Sequence, residues 1–180
     1  MNKVKSKQNQ GFTIIEVILV LAIAGLIFLM MFIALPALQR SQRDSRRRDD
    51  ISILLKKLKD FQTNNRGALP NSAGSKIGYD ETSSGSSWKG FYHDYLGDKF
   101  EDPNGGNYVL TITNCKEAGG RVNEECDGII TSSSKFSGDM EMRIFVGSGC
   151  DGDKAIVNSN PRKVSVQYKL EGGGVYCANT

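Results

Sequence analysis

The sequence is short of the residues that do chemistry. It has a single histidine, His93, and no Gly-x-Ser-x-Gly elbow, His-Glu-x-x-His pair or phosphate loop, so the usual hydrolase, metalloprotease and nucleotide-binding signatures are absent. His93 beside Asp94 reads as a surface pair. The leader and stem hold no cysteine, and none of the four cysteines forms a C-x-x-C pair, so zinc is disfavoured; the metal prediction is none. Charge is missing too: between Phe12 and Leu35 the only ionisable side chain is Glu16.

What fills that charge-poor stretch is a long apolar run. Its 24 positions span roughly 36 Å as a helix, enough to cross a bilayer. Ahead of it Met1–Gly11 is short and basic, with Lys3, Lys5 and Lys7 and no acid, which holds that end on the cytoplasmic side. A small residue, Gly11, precedes the run, while no Ala-x-Ala pattern follows Pro36; any cut therefore falls before the apolar helix and keeps it. A carboxylate inside such a helix costs roughly 2.5 kcal/mol or more near the bilayer centre, so Glu16 asks for a partner.

The sequence Gly11-Phe12-Thr13-Ile14-Ile15-Glu16, with the basic leader before it and the apolar helix after it, resembles the class III signal of type IV pilins and pseudopilins. The resemblance implies removal of residues 1–11 by a prepilin peptidase, cutting between Gly11 and Phe12 and methylating the new amine. It also implies assembly through Glu16, Gly25 and Pro36, with Glu16 setting register against the Phe12 ammonium. The proline lies about three residues further from the glutamate than the family pattern, and a kink is expected near Phe32–Pro36. Implied partners are identical copies in a helical filament, the prepilin peptidase, an assembly platform with its ATPase, and the membrane. The chain would begin as a single-pass cytoplasmic-membrane protein with its amino end inside and finish in an extracellular surface filament. The favoured function is a pilus subunit and not an enzyme. A pseudopilin or minor pilin of a secretion or DNA-uptake machine is the alternative, and a membrane-anchored monomeric binding domain the alternative of another class.

Beyond Pro36 the helix changes solvent. Arg40, Arg43, Arg46, Arg47 and Arg48 interleave with Asp44, Asp49 and Asp50; then Ile51, Leu54, Leu55, Leu58 and Phe61 recur at three- and four-residue spacing. The arginines read as a solvated face or as a contact for lipid headgroups or acidic neighbours, and the apolar stripe as a face packed on a head. Thr63–Gly67 and Pro70 end the helix. The expected organisation is therefore a leader 1–11, a helix 12–66 with its membrane half at 12–35, and a head 67–180. The stem 12–66 carries nine basic and five acidic side chains, and the head 11 and 15, a net +4 against −4. That balance argues against bulk nucleic-acid binding by the head, though a small local patch could escape the count.

The head reads as one small domain. Asn71–Trp88 is Ser- and Gly-rich loop; Trp88, Phe91, Tyr92, Tyr95 and Leu96 suit a short helix closing the core. Tyr108–Thr113, Glu141–Val146, Lys163–Leu170 and Val175–Cys177 read as strands, with a hairpin turn at Glu171–Gly174. The predicted class is α+β: a long amino-terminal helix packed on a small antiparallel sheet, the layout the pilin resemblance also implies. Cys115, Cys126, Cys150 and Cys177 allow three pairings, of which Cys115–Cys126 and Cys150–Cys177 are favoured. Asp102–Tyr108 is turn chemistry. Asp151 and Asp153, with Asn158 and Asn160, offer oxygen ligands for calcium but miss the EF-hand pattern; no other cofactor is expected.

Overall fold

The computed structural model describes residues 11–71, 76–78, 85–116, 121–122, 126 and 140–180. Met1–Gln10 and much of the loop expected at Asn71–Trp88 lie outside them. Two compact units divide between Gln39 and Arg40.

In the first unit α1 begins at Ile14, and its assignment runs to Asn64 with Pro36 inside. Thr13 starts it, its carbonyl accepting the Glu16 and Val17 amides at 3.2 and 3.3 Å. Among the described residues nothing covers the apolar side chains from Phe12 to Leu35; most are more than half exposed. Leucine and isoleucine in water forfeit about 1.5–3 kcal/mol each relative to burial, so such a surface requires lipid or other chains.

The second unit starts from the amphipathic part of the same helix. Ile51, Leu54, Leu55, Leu58 and Phe61, the predicted stripe, are all buried. The helix stops because Arg66 adopts φ +56° and Gly67 φ +82°, which lets the Gly67 amide reach back to the Gln62 carbonyl at 2.6 Å. A four-residue helix α2, Trp88–Phe91, capped by Ser87, runs into a π-helical turn at Tyr92–Leu96. This is the expected aromatic closure: Phe61 meets Phe91 edge-on at 5.8 Å and Tyr95 at 5.3 Å.

Five strands form the main sheet in the order β1-β2-β3-β6-β7, with β1 Lys76–Ile77, β2 Val109–Asn114, β3 Glu141–Val146, β6 Val164–Lys169 and β7 Val175–Asn179. The sheet is mixed, not wholly antiparallel: β2 and β3 run parallel, in register from Val109↔Glu141 to Asn114↔Val146. Parallel neighbours need a long crossover, and the stretch from Cys115 to Met140 supplies one. The β6–β7 hairpin closes through the predicted glycine turn, with Gly173 and Gly174 at positive φ.

A second hairpin, β4 Ser148–Asp151 and β5 Lys154–Val157, was not anticipated. It covers the sheet face opposite the helix, where Phe145, Ala155, Val175 and the Cys115 and Cys126 sulfurs form a small second core. That explains why β3 is buried on both faces and reads as a nearly continuous run instead of alternating. Disulfides join Cys115 to Cys126 and Cys150 to Cys177, the latter tying β4 to β7.

Candidate processing and assembly site

Gly11 precedes the first helical turn, and a methyl group built on it would meet nothing within 4 Å. Phe12 is 85% exposed. The bond Gly11–Phe12 therefore lies ahead of the helix with its described surroundings open. Glu16 falls in the first turn of α1, where a carboxylate faces the unpaired amides of the helix start. Phe12 stands four positions before Glu16, ahead of the first helical turn. Gly25 likewise has nothing within 4 Å, so its missing side chain serves no packing inside the chain. Small residues on membrane helices permit close approach of another backbone, a reason for a glycine here that lies outside the single copy. Pro36 removes one amide from the helical ladder.

The second unit holds a polar site that the sequence did not disclose. Arg47 is 1% exposed and donates through Nε and Nη2 to the two Asp102 oxygens, at 2.7 and 2.9 Å. It also reaches Asp44 at 3.1 Å and Glu171 at 2.6 Å. Arg43, one turn earlier, donates to Glu171 from Nε and Nη2. Asp44 in turn accepts the backbone amides of Glu171 and Gly172, at 2.9 and 2.8 Å, so the helix grips the β6–β7 turn. Gly172 is needed at that point: a methyl group on it would stand 3.1 Å from the Asp44 carboxylate.

The Asp102–Tyr108 segment supplies the other half of the clamp. Asp102 accepts the Asn104 amide at 2.9 Å, closing an Asx turn, and the Tyr168 hydroxyl at 2.9 Å. Bonds to Arg43 hold the Glu171 carboxyl down at about 2. Burial alone would raise the Asp102 carboxyl, but its bonds to Arg47, Asn104 and Tyr168 leave it below the usual range. Burial also opposes the Arg47 charge, and the Asp102 and Glu171 bonds outweigh that and raise its affinity for its proton. Nearby, desolvation pushes the Asp50 carboxyl up despite a 2.7 Å bond from the Tyr108 hydroxyl.

The arginine cluster is thus not a uniform exposed face. Arg43 and Arg47 are internal ligands of the head, Arg48 lies over the Tyr176 ring at 5.4 Å, and Arg40 and Arg46 are exposed. An i, i+4 arginine pair with an aspartate between them was the available signal; its partners 55 and 124 or more residues away were not readable.

The remaining candidates stay apart from both sites. His93 bonds Asp94 at 2.8 Å on the surface, which lowers the Asp94 carboxyl. Asp151 and Asp153 flank Gly152 in the β4–β5 turn, whereas Asn158 and Asn160 spend their side-chain oxygens on backbone amides of the next loop. Among the described residues no group of three His, Cys, Asp or Glu side chains comes together that could hold a metal.

An exposed helix long and apolar enough to cross a membrane, followed by a helix-on-sheet head stapled by two disulfides, defines a pilin-like α+β fold and fits a membrane-anchored precursor. The family model of the prokaryotic N-terminal methylation motif matches residues 6–32, so the chain carries the class III signal of type IV pilins and pseudopilins. That motif implies a structural protein that is processed by prepilin peptidase and assembles into a membrane-associated filament. No curated protein and no solved structure matches the chain.

Proposed function

We propose that this protein is a structural subunit of a type IV pilus, cut after Gly11, held in the cytoplasmic membrane with its amino end inside, and then transferred into a surface filament. The observation that carries this reading is the coincidence of the methylation motif with an apolar helix that none of the described residues covers. A membrane covers such a helix before assembly, and the same helices of other copies cover it afterwards. Glu16 would select register: an unpaired carboxylate among packed apolar helices is costly, and pairing with the Phe12 ammonium of the same or an adjoining copy offsets the desolvation of both. The assembly platform and its ATPase would supply the work of moving the helix out of the lipid.

A pseudopilin or minor pilin shares all of this chemistry. The Asp102–Tyr108 segment resembles the turn before a strand in secretion pseudopilins, though turn chemistry alone explains it. Mass spectrometry of the amino-terminal peptide in a sheared surface fraction and in washed membranes separates the readings. A methylated peptide beginning at Phe12 and enriched in the sheared fraction is the expected result. The same peptide confined to membranes would favour the pseudopilin or minor pilin, and an intact Met1–Gly11 in both fractions would overturn processing and leave an anchored monomer.

A further inference from the structure

The far end of the amphipathic helix carries a cationic cleft that neither the methylation motif nor the fold accounts for. It has a volume of about 270 Å³ and is lined by Lys59, Gln62, Arg162 and Lys163, with Asn160 and Thr180 at its edge. Lys59 and Gln62 are three residues apart on α1 and so share a face. Arg162 lies against the exit of that helix: its guanidinium would stand 3.1 Å from a methyl group on Gly67, and Gln62 donates to its carbonyl at 3.0 Å. The loop before it is fixed by two Asn turns, in which Asn158 accepts the Asn160 amide and Asn160 the Arg162 amide, both at 2.9 Å. Arg66, a further exposed cation, precedes Gly67 in the sequence and does not itself line the cleft.

These cations differ from Arg43 and Arg47. Lys59, Arg66 and Arg162 are exposed, and among the described residues no carboxylate side chain pairs with any of the four. Lys163 is held by the main-chain oxygen of Thr180. Asp60, the nearest acid in sequence, is one position on from Lys59, about 100° around the helix, and does not line the cleft. The cleft is rich in donors, with two ammonium groups, a guanidinium and two side-chain amides, a set suited to a carboxylate or phosphate.

We infer that this cleft is a docking surface for carboxylates on the head of a second copy of this chain. The charge on the page selects that occupant. Without Arg162 and Lys163, the head from Gly67 to Thr180 has nine basic and 15 acidic side chains, a net −6. A head of that net charge disfavours a polyanion, whereas a neighbouring copy brings its own acidic excess to the cleft at the high local concentration of an array. A basic patch on one copy meeting an acidic one on the next is a heterologous contact, the kind that propagates a chain of subunits. The inference rests on the filament reading for its biological setting, but the contact itself is testable in the purified full-length protein.

The test is carbodiimide coupling, which joins a lysine amine directly to a contacting carboxylate, on a mixture of isotopically light and heavy full-length chains in detergent. Expected are Lys59 crosslinks to acidic peptides of mixed isotopic origin, suppressed by high salt. Arg162→Glu should lower their yield by about tenfold or more, and the milder Arg162→Gln by less, with Trp88 fluorescence confirming the fold in both. Lys59 products confined to single copies, or absent while other lysines still couple between copies, would overturn the inference. Salt-sensitive binding of a short oligonucleotide that Arg162→Glu abolishes, without mixed Lys59 crosslinks, would also overturn it and assign the cleft to a phosphate backbone. Failure to find the chain in sheared filaments would count against the filament reading alone.

Discussion

Replacing Asp102 with alanine tests the clamp that joins the amphipathic helix to the sheet. Asp102 is enclosed, with a fully buried side chain that takes two bonds from Arg47 and one each from Tyr168 and the Asn104 amide. Its removal leaves the guanidinium of Arg47 buried with two of its four side-chain bonds lost and opens the turn that Asn104 completes. Breaking a buried pair from one side costs about 3–5 kcal/mol, because the surviving charge stays desolvated. A typical domain holds only about 5–15 kcal/mol in total. Trp88 is the sole tryptophan and is buried in the head core, so its fluorescence reports unfolding of this unit in full-length protein held in detergent. With a urea dependence of about 1–3 kcal/mol per molar, the midpoint should fall by about 1 M or more. Arg47→Met should be similarly damaging, since it leaves the buried Asp102 carboxylate without its cation while Asp44 and Glu171 lose one of their partners. The double variant Arg47→Met/Asp102→Leu should be more stable than either single change, with a coupling of about 2 kcal/mol or more. Strictly additive losses, or an Asp102→Ala cost below about 1 kcal/mol, would refute the reasoning.

Acid should loosen the same clamp. Glu171 sits at about 2 in the folded chain against its ordinary 4.5, so it stabilises fully above about 4.5, and that contribution is lost as pH falls toward 2; Asp102, also depressed, acts in the same direction below 3.8. Glu171→Gln should flatten the Trp88-monitored acid titration across that window, and an unchanged curve would exclude the carboxylate. Loss of the Cys150–Cys177 bridge, which closes a 27-residue separation, should cost roughly 3.5 kcal/mol by chain entropy, seen as a lower urea midpoint in Cys150→Ser/Cys177→Ser. Glu16→Val should leave membrane insertion and cleavage at Phe12 intact while lowering the yield of sheared filaments; a normal yield would sink the register role.

Legibility followed the range of the interactions. The helix stripe from Ile51 to Phe61 was readable because its period is local, and the strands β6 and β7 because they alternate and share a glycine turn. The β4–β5 hairpin escaped because Ser148-Gly149-Cys150-Asp151 has neither β-branched residues nor alternation; it is a strand by virtue of its pairing with β5 and the Cys150–Cys177 bridge to β7. The parallel β2–β3 pairing escaped because local patterns set strand identity and leave strand direction to the crossover.

By itself the sequence determined the N-terminal methylation motif, the membrane-length helix, the amphipathic stem, and an α+β head that holds all four cysteines. Each of these is written in contiguous residues, where hydropathy and charge act over one or two turns. Only the tertiary structure decided what the charges do. Arg43 and Arg47 became internal ligands, an ordinary turn at Asp102 became the anchor of the stem, and Lys59 met Arg162 and Lys163 across about 100 positions of sequence. An ionic partner leaves no periodic trace in the chain, because its selection depends on burial and geometry that exist only after the sheet has closed over the helix.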